Sequence, residues 1–112
     1  METKEILSHI DHTQLKPYAT LEDIYKLCDE AVTYGTASVC IPPCYVRRVH
    51  DRYGSKLNIC TVVGFPLGYS VTAAKLAETR QAIEDGAQEI DMVINVAALK
   101  DGEEETVYQD IL

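Results

Sequence analysis

Apolar positions along the chain first fall into a helical rhythm: Ile24, Leu27, Cys28 and Ala31 recur at the spacing of one helix face. Thr20 stands before them as an N-cap, Glu22 and Asp23 occupy the first turn, and Gly35 supplies a C-terminal stop, so the spacing predicts a helix between residues 20 and 35. The rhythm then changes. Ala37–Ile41 is a short β-rich run closed by Pro42-Pro43, which can open the next helix, where Val46, Val49 and Tyr53 share a face before Gly54. Asn58–Val63 is a second strand, Gly64-Phe65-Pro66-Leu67-Gly68 a loop, and Ser70–Asp85 a helix with Ala73, Leu76, Ala77 and Ile83 apolar, ended by Gly86. A third strand is expected over Ala87–Val96, and after Lys100-Asp101-Gly102 the acids Glu103–Glu105 suit the first turn of a last helix carrying Val107 and Ile111.

Strand and helix alternate three times, and the strands are almost continuously apolar. That order implies right-handed βαβ units on a parallel sheet, an α/β protein. No linker, repeat or low-complexity tract marks a second domain, so residues 1–112 are expected to form one. Three βα units are fewer than a closed parallel architecture uses, and Leu112 falls inside an apolar stripe. The expectation is therefore the front part of a longer protein, a partial (half) TIM barrel, since a complete (β/α)8 barrel takes about 250 residues.

Composition narrows the partners. Ten Lys and Arg stand against 18 Asp and Glu, a formal charge of -8, with no basic cluster longer than Arg47-Arg48, which argues against nucleic acid and anionic membrane. The N-terminus lacks a signal-peptide apolar core, and no segment approaches the roughly 18 uninterrupted apolar residues of a membrane span, so a cytoplasmic protein is expected. Cys28, Cys40, Cys44 and Cys60 suit buried or reduced thiols better than a disulfide framework. Cys40-Ile-Pro-Pro-Cys44 is not a recognised zinc spacing, and no metal or other cofactor is expected.

One run poses a question of chemistry. In Ala87-Gln88-Glu89-Ile90-Asp91-Met92-Val93-Ile94-Asn95-Val96, strand alternation puts Ile90, Met92 and Ile94 on one face and Asp91, Val93 and Asn95 on the other. An ionised Asp in a covered strand is costly without a partner or a task. Either Asn95 or helix N-termini hold Asp91 structurally, or it serves as a general acid or base; the strand pattern leaves both open. His12 beside Asp11 admits a catalytic reading and a capping one, with no nucleophile placed to complete a triad. Cys40, on the face of Ser38, can be a buried small thiol or a site residue. The loop at Gly64–Gly68 follows a strand end, where parallel α/β proteins bind ligands, yet it lacks every nucleotide fingerprint and can equally be a plain turn.

Four segments together are more specific. IDHTQLKP, YGTASVCIPP, CTVVGFPLG and GAQEIDMVINVAALKDG, in this order and spacing, closely resemble the N-terminal half of deoxyribose-phosphate aldolase, from about Ile10 onward. That resemblance implies a metal-free (β/α)8 barrel that cleaves 2-deoxy-D-ribose 5-phosphate to D-glyceraldehyde 3-phosphate and acetaldehyde through a lysine Schiff base. It implies that Asp91 is the catalytic acid/base and that Asp11 and Cys40 line the substrate pocket. The family's Schiff-base lysine lies on later strands, and none of Lys4, Lys16, Lys26, Lys56, Lys75 and Lys100 sits in an apolar strand where desolvation could make it a nucleophile. The chain alone is thus expected to be inactive. The alternatives are a non-catalytic, self-associating half-barrel and, more weakly, another small-molecule lyase on the same scaffold. Open strand edges lead to an expected homodimer or larger homo-oligomer.

Overall fold

The computed structural model describes residues 2–112. Four parallel strands form one sheet in sequential order: β1 (Asp11–Thr13), β2 (Ser38–Ile41), β3 (Ile59–Val63) and β4 (Glu89–Met92). Around them lie α1 (Thr3–Leu7), α2 (Leu21–Tyr34), α3 (Val46–Tyr53), α4 (Thr72–Asp85), α5 (Val96–Lys100) and α6 (Glu104–Ile111). This is half of an eight-stranded βα barrel in its strand order, as the alternation anticipates.

The helix from residue 20 forms for the expected reasons. Thr20 Oγ1 accepts from the Asp23 backbone N–H at 3.2 Å, and the Asp23 carboxylate accepts from the Thr20 N–H at 3.0 Å, a reciprocal capping box. Those hydrogen bonds hold the Asp23 carboxyl below its ordinary pKa. Gly35 closes the helix in the left-handed conformation at φ 66. The face so defined buries Ile24, Leu27, Cys28 and Ala31 against Val39, Ile41 and Ile59 of the sheet, together with Val46, Val49 and Tyr53 of α3. Each large side chain in this layer is worth about 1.5–3 kcal/mol of burial. Tyr53 donates its hydroxyl to the Asp29 carboxylate at 2.6 Å, so this polar end of a core side chain is satisfied.

Four expectations need correction. Asp11–Thr13 is a strand rather than a polar cap, because its backbone pairs in register with Ser38–Cys40. The third predicted strand is shorter than Ala87–Val96: it covers Glu89–Met92, and the Asn95 side chain caps α5 by accepting from the Ala98 N–H at 3.0 Å. That strand is also half open to solvent, unlike β2 and β3, whose residues are buried on both faces. Finally, α4 turns the other way. Leu76 and Ile83 are exposed at 48% and 59%, while Lys75 and Ala82 face inward.

Lys75 is paired on the inward side. Its ammonium group donates to the Val93 carbonyl at 3.0 Å and pairs with Asp110 of α6, whose other oxygen accepts from Thr72 Oγ1 at 2.7 Å. One buried ion pair thereby joins α4, the segment after β4, and α6. Burial alone would raise the Asp110 pKa, but the hydrogen bonds from Lys75 and Thr72 and the Lys75 charge hold it below the usual carboxylate range.

Candidate active site

Because the strands are parallel and in register, alternation sorts their side chains into two sets. His12, Val39, Ile41, Ile59, Thr61, Val63, Ile90 and Met92 lie on the outer face, toward the helices. Asp11, Thr13, Ser38, Cys40, Cys60, Val62, Glu89 and Asp91 lie on the inner face. Asp11, Cys40 and Asp91, the three residues singled out from the sequence, therefore share one surface.

Adjacent strands bring part of that surface close together. Donor atoms of Cys40 on β2, Cys60 on β3 and Asp91 on β4 all lie within 4.8 Å of one another. Asp11 is oriented separately: Ser38 Oγ donates to its Oδ1 at 2.6 Å. Asp91 is exposed, so its face is open to water and the carboxylate carries no full desolvation cost. Asn95 caps α5 with its side-chain oxygen, which accepts from the Ala98 N–H, and among the described residues it makes no hydrogen bond to Asp91.

Cys40 and Cys60 are buried, and burial is the main force pushing both thiols above their ordinary pKa, with the Asp91 charge adding to it. Both are neutral at pH 7 and are not activated nucleophiles. Cys60 was not a candidate from the sequence. Its only signal was its place in a strand, and which residue of β4 would face it depended on a register that the sequence does not display.

His12 is separated from Asp11 by the pleat and meets Glu30 of α2 at 3.3 Å on the outer side. The catalytic pairing of His12 with Asp11 therefore does not form. The Gly64–Gly68 loop does have a structural task. Gly64 and Gly68 take positive φ of 68 and 73, the Gly64 N–H donates to Glu78 at 2.8 Å, and a Cβ on Gly68 would stand 2.0 Å from the Ile94 carbonyl oxygen. The loop backbone rests on the segment leaving β4. Beside it, Leu15, Pro17, Pro42, Val62 and Phe65 line a cavity of about 300 Å³ at the C-terminal ends of the strands, where parallel barrels bind small molecules.

Five of the six lysines are on the surface and one is not. Lys4, Lys16, Lys26, Lys56 and Lys100 are exposed, and buried Lys75 is committed to Asp110 and the Val93 carbonyl. Among the described residues, no lysine stands on the inner face beside Asp91.

Comparison with known proteins bears on the family and the fold. A family model described as DeoC/LacD family aldolase matches residues 5–112. Deoxyribose-phosphate aldolase of Clostridium botulinum (strain Alaska E43 / Type E3) is 60% identical over 111 residues, which are 99% of this chain and 50% of that protein. The enzyme of the same name from Clostridioides difficile (strain 630) is 51% identical over 108 residues, 96% of this chain and 49% of the relative. The chain thus spans about half the length of the curated relatives it matches. Among solved structures, a candidate deoxyribose-phosphate aldolase from Coccidioides immitis superposes with a TM-score of 0.94 at 40% identity, covering 99% of this chain and 44% of the other. A deoxyribose phosphate aldolase from Aeropyrum pernix, described as having a unique tetrameric structure, gives 0.89 at 32% identity, covering 98% and 46%.

Proposed function

Since the chain belongs to the DeoC/LacD family of aldolases, we propose that it supplies the acid/base half of a Schiff-base aldolase site. In this reading the substrate is 2-deoxy-D-ribose 5-phosphate and the products are D-glyceraldehyde 3-phosphate and acetaldehyde. The observation that carries it is Asp91: a solvent-open carboxylate on the inner face, with Cys40 and Cys60 against it and Asp11 on the same surface.

Carbon–carbon cleavage through an imine needs protons moved on and off oxygen and nitrogen as the carbinolamine forms and collapses. Asp91 is the group that moves them. Asp11 and Cys40 shape the pocket, Asp11 held by Ser38 and Cys40 presenting a neutral, apolar thiol. No metal or other cofactor has a part in this chemistry. The nucleophilic amine has to come from a lysine facing Asp91, and no described lysine of this chain does so. The 112 residues by themselves are therefore inactive in this reading, and form one structural unit of the barrel.

The chain self-associates in the same reading. Leu76, Ile111 and Leu112 leave apolar surface exposed beside Ile90 and Met92 of β4, and association would cover it. Four free thiols fit the reducing cytoplasm, and no helix among the described residues is long and apolar enough to cross a membrane.

Borohydride reduction in the presence of 2-deoxyribose 5-phosphate tests the division of labour. We expect no covalent adduct on the isolated chain; turnover with an adduct on any of its six lysines would refute it. In a chain that also carries the Schiff-base lysine, Asp91→Asn should keep the fold and lower kcat about 100-fold or more, the scale of one lost general acid/base. Near-normal kcat would return Asp91 to a structural role.

A further inference from the structure

The inner face holds more chemistry than proton transfer requires. Two thiols and a carboxylate, drawn from three adjacent strands, place their donor atoms within 4.8 Å of one another. Sequence spacing conceals this set, because Cys40, Cys60 and Asp91 are separated by 20 and 31 residues and only the parallel register unites them. We propose that Cys40, Cys60 and Asp91 form a binding site for a single thiophilic divalent cation of the Zn²⁺ or Cd²⁺ class.

The geometry requires little movement. Zinc–sulfur bonds of about 2.3 Å in a tetrahedron put two sulfurs about 3.8 Å apart, so the present spacing closes by roughly an ångström or less. Cys40 and Cys60 are direct neighbours across β2 and β3, which fixes their Cβ atoms on one side of the sheet. Asp91 comes from the next strand, two residues along from Cys60's own partner Glu89 and so on the same face. The carboxylate is exposed, so an ion has a route in, and a solvent molecule completes four-coordination.

Charge favours the same occupant. As the ion binds, each thiol releases its proton to solvent and the two thiolates with the Asp91 carboxylate give three negative ligands against two positive charges. The Asp11 and Glu89 charges also reach Cys40, and a cation relieves that concentration of negative charge. Sulfur ligands select soft ions over Mg²⁺ and Ca²⁺. Cys44 is exposed and Cys28 lies in the outer core, so neither belongs to the set. The site does not depend on the aldolase reading; where Asp91 is the proton shuttle, the ion would silence it.

Cadmium alone is the probe. The full 112-residue chain, reduced and free of added thiols, is titrated with Cd²⁺ while Cd–thiolate charge-transfer absorbance, bound metal after dialysis and the thermal midpoint are recorded. We expect one ion per chain with two thiolates' worth of absorbance and a raised midpoint, since the ion binds only where the strands are assembled. Cys60→Ser should lose at least about tenfold in affinity and half the absorbance. Asp91→Asn, a change at an exposed side chain that leaves the core intact, should weaken binding while keeping the absorbance. Cys44→Ser should change nothing, and Mg²⁺ should not compete. Absence of stoichiometric Cd²⁺ binding, or binding that survives both Cys60→Ser and Asp91→Asn unchanged, or binding lost with Cys44→Ser, would overturn the site.

Discussion

Replacing Lys75 by Met tests how α6 is held. The side chains of Lys75 and Asp110 are only 4% and 5% exposed, and the substitution keeps the apolar stem while deleting the charge and both hydrogen bonds of the amine. Asp110 would be left with Thr72 alone, and orphaning a buried charge costs about 3–5 kcal/mol. The chain has a cheaper response. Of the apolar residues of α6, only Val107 is buried, so releasing the helix and rehydrating Asp110 forfeits about 1.5–3 kcal/mol. We therefore expect Lys75→Met to lower unfolding stability by that smaller amount, about 1 M in urea midpoint for a slope of about 2 kcal/mol per M. Amide protection should vanish in α6 while the sheet keeps its own.

Circular dichroism against urea gives the first number and hydrogen exchange the second; the chain's 7 tyrosines and absence of tryptophan make tyrosine fluorescence a second probe. Asp110→Leu added to Lys75→Met should recover much of the loss, since it removes the orphaned charge. The pair also has a pH signature. The Asp110 pKa is lower folded than unfolded, so the folded state binds fewer protons near that pH. Its contribution is complete above about pH 4 and is lost as pH falls through the folded value. Lys75→Met should flatten stability in that acid window. A variant within about 0.5 kcal/mol of the parent, with α6 protection and acid dependence unchanged, would refute the reasoning.

Two glycines separate backbone strain from collision. Gly35 and Gly68 have similar positive φ, but a Cβ on Gly35 meets nothing within 4 Å whereas one on Gly68 strikes the Ile94 carbonyl. Gly35→Ala should cost about 1–2 kcal/mol and Gly68→Ala clearly more, read as urea midpoints; equal costs would show that the loop yields freely. Sedimentation equilibrium at micromolar concentration should show a dimer or larger species, and a folded species at the 12.5 kDa monomer mass with nothing heavier would end the self-association reading.

What the sequence determined by itself is local. The Thr20–Asp23 box, the Gly35 stop and the apolar stripe of α2 lie within one stretch of chain, where helix periodicity and capping chemistry act over a few residues. The apolar runs of β2 and β3 are equally self-evident, and the motifs around Asp11, Cys40 and Asp91 were specific enough to suggest a family. Tertiary structure decided the rest. Asp-His-Thr has no apolar pattern of its own, and β1 exists because its backbone finds Ser38–Cys40. The apolar residues of α4 promised a core face at Leu76 and Ile83, but Lys75 turns inward instead, to a partner, Asp110, that lies 35 residues away in sequence. Cys60 meets Cys40 and Asp91 only through strand register. Each of these contacts depends on distances between segments, and a linear pattern of polar and apolar residues carries no information about those distances until the sheet has formed.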